Sequence, residues 1–200
     1  VSIWGTARTL EAVSVSFAGQ LKTTTADASG NWSVELDPMV ASTNGRRMVV
    51  SSGPTTLSFS NVLVGEVWLA AGQSNMRWTV GQSTDSPHPE NFPLLRMCNW
   101  DGTVGAGGAT VYGPAEIAAM NPENFYTGSW EPLGASNIGT QSAVAYFFAN
   151  AIARELRGTG PGGSDVPVGV VELAYGGTST EAFIPASVLQ ADPFLKAAFE

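Results

Sequence analysis

Apolar and polar residues alternate in Ala12-Val13-Ser14-Val15-Ser16-Phe17 and again in Trp32-Ser33-Val34-Glu35-Leu36, the period of two that marks a strand with one buried face. Asp27-Ala28-Ser29-Gly30-Asn31 between them reads as a turn. Met48-Val49-Val50 and Leu57-Ser58-Phe59 predict further short strands. Strands at this spacing, joined by Gly, Asn and Pro turns, predict a small β-sandwich over residues 1–62. From about residue 63 the pattern changes. Val67 to Ala71, a short apolar run between Gly65 and Gly72, predicts a buried strand. Leu94 to Asn99 predicts a second and Val168 to Ala174 a third. Gln141 to Arg157 predicts a helix, with Val144, Phe147, Phe148, Ala151, Ile152 and Leu156 forming one apolar stripe. Arg154 and Arg157 complement the dipole of its last turn, and Gly158 to Gly163 ends it. Residues 101–137 predict a long irregular insertion with at most a short helix at Pro114 to Met120, placed to wall a site. Helix-then-strand order predicts a parallel sheet covered by helices, hence an α/β fold. Ala186 to Glu200 reads as helical.

Composition narrows the function. Two hundred residues are enough to bury one core or two. A net charge of −8 with nine Lys and Arg argues against nucleic acid and anionic membranes as partners, because too few cations face the phosphates. One Cys and one His exclude a Cys/His zinc site. Cys98 lies in an apolar run and reads as a buried strand residue. Trp32 has two readings, a sugar-stacking surface or a sandwich core residue, and its place in an alternating strand favours the core. The chain opens on Val1 without a basic leader or a membrane-length apolar run, so neither a signal peptide nor a transmembrane span is read from it.

The chemistry concentrates at Gly72-Gln73-Ser74-Asn75-Met76. A strand ending at Gly72 can turn sharply. Ser74 then falls at the start of the next helix, where free backbone N–H groups and the helix dipole favour negative charge. That environment suits an acyl-transfer nucleophile; the competing reading is a simple helix N-cap. Met76 stands where the Gly-x-Ser-x-Gly elbow has its second glycine. Asn75 either donates through its amide or shapes the turn. Arg77 reads as a solvated helix-face charge, with substrate contact as the alternative. Gly176-Gly177-Thr178 follows the third strand and is either a plain strand-to-helix turn or a close backbone approach to ligand. Ligands bind at the carboxyl ends of strands in such sheets, so Ser74 and Gly176-Gly177 are expected on one edge.

Gly72 to Met76 after Gly65-Glu66-Val67-Trp68-Leu69 resembles the nucleophile block of the sialate O-acetylesterase-like branch of the SGNH hydrolases. Ser142 to Ala149 resembles the family's core helix. Val166 to Val171, followed by Gly176-Gly177-Thr178 and Glu181-Ala182-Phe183, resembles the strand and glycine turn after it, although Phe183 stands where the family often has tryptophan. The resemblance implies a partial SGNH-type, flavodoxin-like parallel sheet over residues 63–200, preceded by an Ig-like β-module over residues 1–62. It also implies a serine esterase acting on acetylated carbohydrate, with neither metal nor organic cofactor. Ser74 would be the nucleophile. Its own N–H and that of Gly177, with Gly176 as the alternative, would meet the oxyanion, and Gln73 and Thr178 would line the pocket. Glu181 is expected to anchor a loop and Trp130 to pack. Relatives are commonly extracellular, periplasmic or lysosomal.

The family's general base belongs to an Asp-x-x-His pair far downstream of the nucleophile. Asp85-Ser86-Pro87-His88 has that spacing, but it lies only eleven residues beyond Ser74 in a Pro-rich loop, so His88 reads as a loop histidine. The expectation is that the pair lies beyond Glu200 and that these residues alone are a weak or dead catalyst. A carbohydrate-binding protein that keeps the fold without the base is the rival reading.

Overall fold

The structure, a computed structural model, describes residues 1–85, 94–100, 128–174, 176–177, 179–194 and 196. The short helix expected at Pro114 to Met120 lies outside them.

Six strands come first: β1 (Ser2–Thr6), β2 (Ala12–Phe17), β3 (Gln20–Thr25), β4 (Asn31–Glu35), β5 (Ser42–Ser52) and β6 (Thr55–Val64). They form a two-stranded sheet, β1-β4, and a four-stranded sheet, β3-β2-β5-β6, all antiparallel. The alternating residues Val13, Val15 and Phe17 of β2 meet Trp32 and Val34 of β4 and Val50 of β5 in one core. Each such side chain contributes about 1.5–3 kcal/mol by leaving water. Trp32 is 9% exposed, and its ring lies against Gly5, where a Cβ would come within 2.9 Å. It is a core residue and no sugar platform. The split of two and four strands differs from the roughly four and three of an immunoglobulin constant-type sandwich. β5 and β6 are also far longer than the two short runs predicted from hydrophobicity. Most of β6 is exposed, so polar residues extend the hairpin beyond its apolar centre.

Gly65 alone separates β6 from β7 (Glu66–Gly72). A Cβ on Gly65 would lie about 2.0 Å from the Pro167 carbonyl oxygen, so the chain passes there only as glycine. The second sheet has the order β7-β10-β8-β9, with β8 at Leu95–Trp100, β9 at Gly128–Pro132 and β10 at Val168–Ala174. β10 pairs in parallel with both β7 and β8, and β9 runs antiparallel on the far edge. A flavodoxin-like order would set the first parallel strand between the second and third; here β10, the third of the parallel strands and the fourth strand of the sheet in sequence, lies between β7 and β8. Among the described residues β7 is an edge strand and mostly exposed, not the buried strand that its apolar run predicts, because it pairs only with β10.

One face of this sheet is covered by α2 (Ala143–Glu155), shorter at both ends than predicted. The stripe expected on it is partly wrong. Ala143, Ala145, Tyr146 and Ala149 are buried against Leu95, Met97, Val168 and Val170, with Phe147, Ile152 and Leu156 packed at the margin. Val144 and Phe148 are exposed. Small alanines let the helix approach the sheet closely, so the widest apolar side chains are not the ones that face it. Phe148 instead meets Trp68 edge-on, with ring centroids 5.2 Å apart. On the sheet's other face Val67 and Leu69 are 66% and 64% exposed, while Trp130 of β9 packs over Gly169. Cys98 is buried.

The final helical run is interrupted. α3 spans Ala186–Ala191, and Asp192 is extended, as the residue before Pro193 is biased to be.

Candidate active site at the strand carboxyl ends

β7 ends at Gly72, in register with Ala174 at the end of β10. The two strands are parallel neighbours, so the segments that follow them emerge on one edge of the sheet. After β7 come Gln73 and α1 (Ser74–Arg77), a single helical turn. After β10 comes the Gly176-Gly177 turn, with Gly177 at φ +79°, a conformation that favours glycine. The expected juxtaposition of the two segments is present.

The glycine at position 72 is needed for space. A Cβ there would lie 2.9 Å from the Met76 Cβ. The bulky residue at the fifth place of the motif therefore presses on the glycine at the first, and the turn stays tight without a second glycine.

Ser74 is exposed and is not the N-cap. Gln73 holds that place and makes no side-chain capping bond. Ser74 Oγ is 3.4 Å from Gln73 Oε1, to which it donates. The first amides of any helix have no acceptor within it, so α1 itself leaves the Ser74 and Asn75 N–H groups available as donors. A one-turn helix adds little dipole, and these local N–H groups are the stronger source of positive potential. Gln73 and Asn75 are also exposed, and Asn75 lends its carbonyl to the Trp78 amide at 3.4 Å.

Behind the turn the structure is tied down. Ser142 caps α2 by accepting from the Ala145 amide at 3.2 Å, and its hydroxyl donates to Met76 Sδ at 3.6 Å. The Ala143 amide donates to the Trp78 carbonyl at 2.7 Å. The start of α2 and the end of α1 thus meet above the strand ends.

Arg77 departs from the reading as a solvated charge. It is half-buried, and its Nη1 donates to the Ala174 carbonyl at 3.4 Å. Its charge also acts on Glu172, a carboxyl 8% exposed on the covered face of β10. Burial pushes that carboxyl above its ordinary value, and Arg77 opposes the push. Glu172 passed unnoticed in the sequence. The available signal was a single acid inside an otherwise apolar central strand.

Thr178 and His88 lie outside the described residues, as does the Glu181 side chain. Among the described residues no group of three His, Cys, Asp or Glu could hold a metal, and no helix is long and apolar enough to cross a membrane.

A largely parallel α/β sheet, with an exposed serine turn and a glycine turn at one edge, defines a class of fold in which ligands bind at strand carboxyl ends. Comparison with known families gives the narrower assignment. The model of the carbohydrate esterase, sialic acid-specific acetylesterase family matches residues 64–196, and the chain belongs to that family. It is 27% identical over 181 residues to a mouse sialate O-acetylesterase, covering 84% of this chain and 30% of the mouse protein. The rat sialate O-acetylesterase is 28% identical, over 82% of this chain and 29% of that protein. A carbohydrate acetylesterase from Xanthomonas citri superposes with a TM-score of 0.71 at 30% identity, over 94% of this chain and 39% of its own. The chain thus spans about three-tenths of the length of the curated relatives it matches.

Proposed function

We propose that Ser74 is the nucleophile of an esterase that removes O-acetyl groups from sialic acid or another acetylated carbohydrate. The observation that carries this reading is the exposed Ser74 hydroxyl directly beyond a parallel strand whose end is in register with Ala174. Family membership adds the substrate class. In the first step Ser74 Oγ attacks the acetyl carbonyl carbon and a base takes its proton. The tetrahedral oxyanion is met by the Ser74 N–H, with the Gly177 N–H as the second donor and Gly176 as the alternative. The sugar oxygen then leaves with a proton, and water releases acetate from the acyl-enzyme. Asn75 shapes the turn, and Gln73 and Thr178 line the pocket. The base is assigned to the family's Asp-x-x-His pair, outside the described residues. In this reading residues 1–62 act as a separate β-module and residues 63–200 as the first part of the esterase domain. The rival reading, a carbohydrate-binding protein without the base, draws on the single histidine of the sequence, His88, in Asp85-Ser86-Pro87-His88 only eleven residues beyond Ser74. The two separate by assay of the full-length protein on acetylated sugars. Ser74→Ala is expected to lower kcat by on the order of 10⁴–10⁶-fold. Equal rates for the variant and the parent remove Ser74 from the mechanism.

A further inference from the structure

We propose that Arg77 and Glu172 form a brace that holds the nucleophile turn against the glycine turn, making both of them positioning residues for Ser74. The proposal rests on the esterase reading above and adds to it a part specific to this chain.

The geometry begins with a weakness. α1 is a single turn with no buried residue, too short to hold itself in place. Its last residue, Arg77, reaches across to the Ala174 carbonyl at 3.4 Å. Ala174 is the final residue of β10, two positions before Gly176. One side chain therefore bridges the two segments that must face a single acetyl oxygen from opposite sides. Ser142 and Ala143 tie the turn to α2, whereas the Arg77 bridge ties it to β10, and so bears on the separation of the two expected N–H donors.

Glu172 completes it. Residues 172 and 174 alternate onto the same face of β10, so the Glu172 side chain leaves the strand one two-residue repeat before Ala174, whose carbonyl Arg77 holds. Glu172 pairs in register with Ala70 of β7, two residues before the Gly72 that leads into α1, and feels the charge of Arg77. A half-buried guanidinium loses hydration and is stabilised there by an acid. The acid in turn sits in the sheet core, where it has little packing value of its own. Loss of either partner leaves the other poorly matched, so their effects on the turn are expected to be coupled.

The test is the rate at which a fluorophosphonate labels Ser74 in the full-length protein. In labelling, Ser74 Oγ bonds to phosphorus, fluoride leaves and the hydroxyl proton passes to the base. Arg77→Met is expected to slow labelling tenfold or more. Arg77→Lys should lose less, because it keeps the charge and one donor. Glu172→Gln should also slow labelling, and the double variant should be no slower than Arg77→Met alone. The fraction labelled at completion should match the parent throughout, since a misplaced turn is slow and an unfolded protein is inert. Parent-like rates in both single variants, losses that simply add, or a reduced fraction labelled at an unchanged rate would each overturn the brace and leave the nucleophile assignment standing. A parent protein that is unlabelled, or labelled equally after Ser74→Ala, overturns the esterase reading and the brace with it.

Discussion

Adding one methyl group at Gly72 should damage both the stability of the protein and the reactivity of Ser74. A Cβ at that position would lie 2.9 Å from the Met76 Cβ, whereas ordinary contacts begin near 3.4 Å. Neither atom can rotate away, because each is bonded directly to its own Cα. The strand end or α1 must therefore move by about half an ångström, and overpacking of this kind costs about 1–3 kcal/mol. For a chain of this size that lowers Tm by roughly 2–12 °C. The same displacement moves Ser74, which sits between the two colliding residues. A misplacement of about 1 Å can cost 100-fold in rate, so a several-fold to tenfold slower fluorophosphonate reaction is expected for Gly72→Ala. The compensating change is Met76→Gly. Met76→Ala cannot compensate, because alanine keeps the offending Cβ. Glycine at position 76 is harmful alone, since Met76 packs against the core, but it should cost about 1–3 kcal/mol less in the Gly72→Ala background. Urea denaturation of the four proteins gives the coupling, and labelling gives the functional counterpart. Gly72→Ala with parent-like stability and labelling would refute the reasoning, as would equal rescue by Met76→Ala.

Two further outcomes follow from the same edge of the sheet. Gly177→Ala meets no atom of the described residues within 4 Å and is penalised by φ +79°, so denaturation should show a loss of about 1–2 kcal/mol, with Gly177→Asn costing less; a neutral alanine variant would mean the turn does not need the left-handed conformation. For Glu172, burial raises the native carboxyl above 4.5, so the native state keeps a proton that the unfolded chain has lost. Its contribution to stability is therefore greatest at acid pH and declines as pH rises from about 4.5 through the native value. Glu172→Gln lacks that decline, so its stability relative to the parent should improve over the same range, and parallel pH curves would contradict the assignment. Arg77→Met should extend the decline to higher pH, because the charge that opposes the shift is gone.

The parts of the fold that were legible in the sequence are those whose environment is uniform along the chain. β10 is central, pairs on both sides and is largely covered, so it reads as one apolar run and both of its ends match the expectation. β2 and β4 each place one face on a core, and their alternation is clean. β5 and β6 are longer than their apolar centres because an exposed hairpin is held by backbone pairing, to which side-chain hydrophobicity is nearly blind. The face of α2 was misread for a different reason. Periodicity weights large side chains, but close helix-to-sheet contact selects Ala145 and Ala149 and leaves Val144 and Phe148 outside. The order of strands has no signature in a strand's own residues. β10 reads the same whether it lies beside β7 alone or between β7 and β8.

The candidate site divides along the same line. Ser74 and Gly177 are marked locally, each by a glycine at a place where the backbone turns, and a local mark survives without knowledge of the fold. Arg77 and Glu172 are separated by most of residues 63–200. In isolation one looks like a surface charge and the other like a flaw in a buried strand. Each makes sense only once the parallel pairing of β7 with β10 brings Ala70 beside Glu172 and Gly72 beside Ala174. The pairing that sets two turns on one edge also brings the acid within reach of the arginine's charge. A charge that local reasoning assigns to solvent is thereby drawn inward to tie the serine turn to its neighbour. The placement of these two charged residues is thus a consequence of the same register that builds the site.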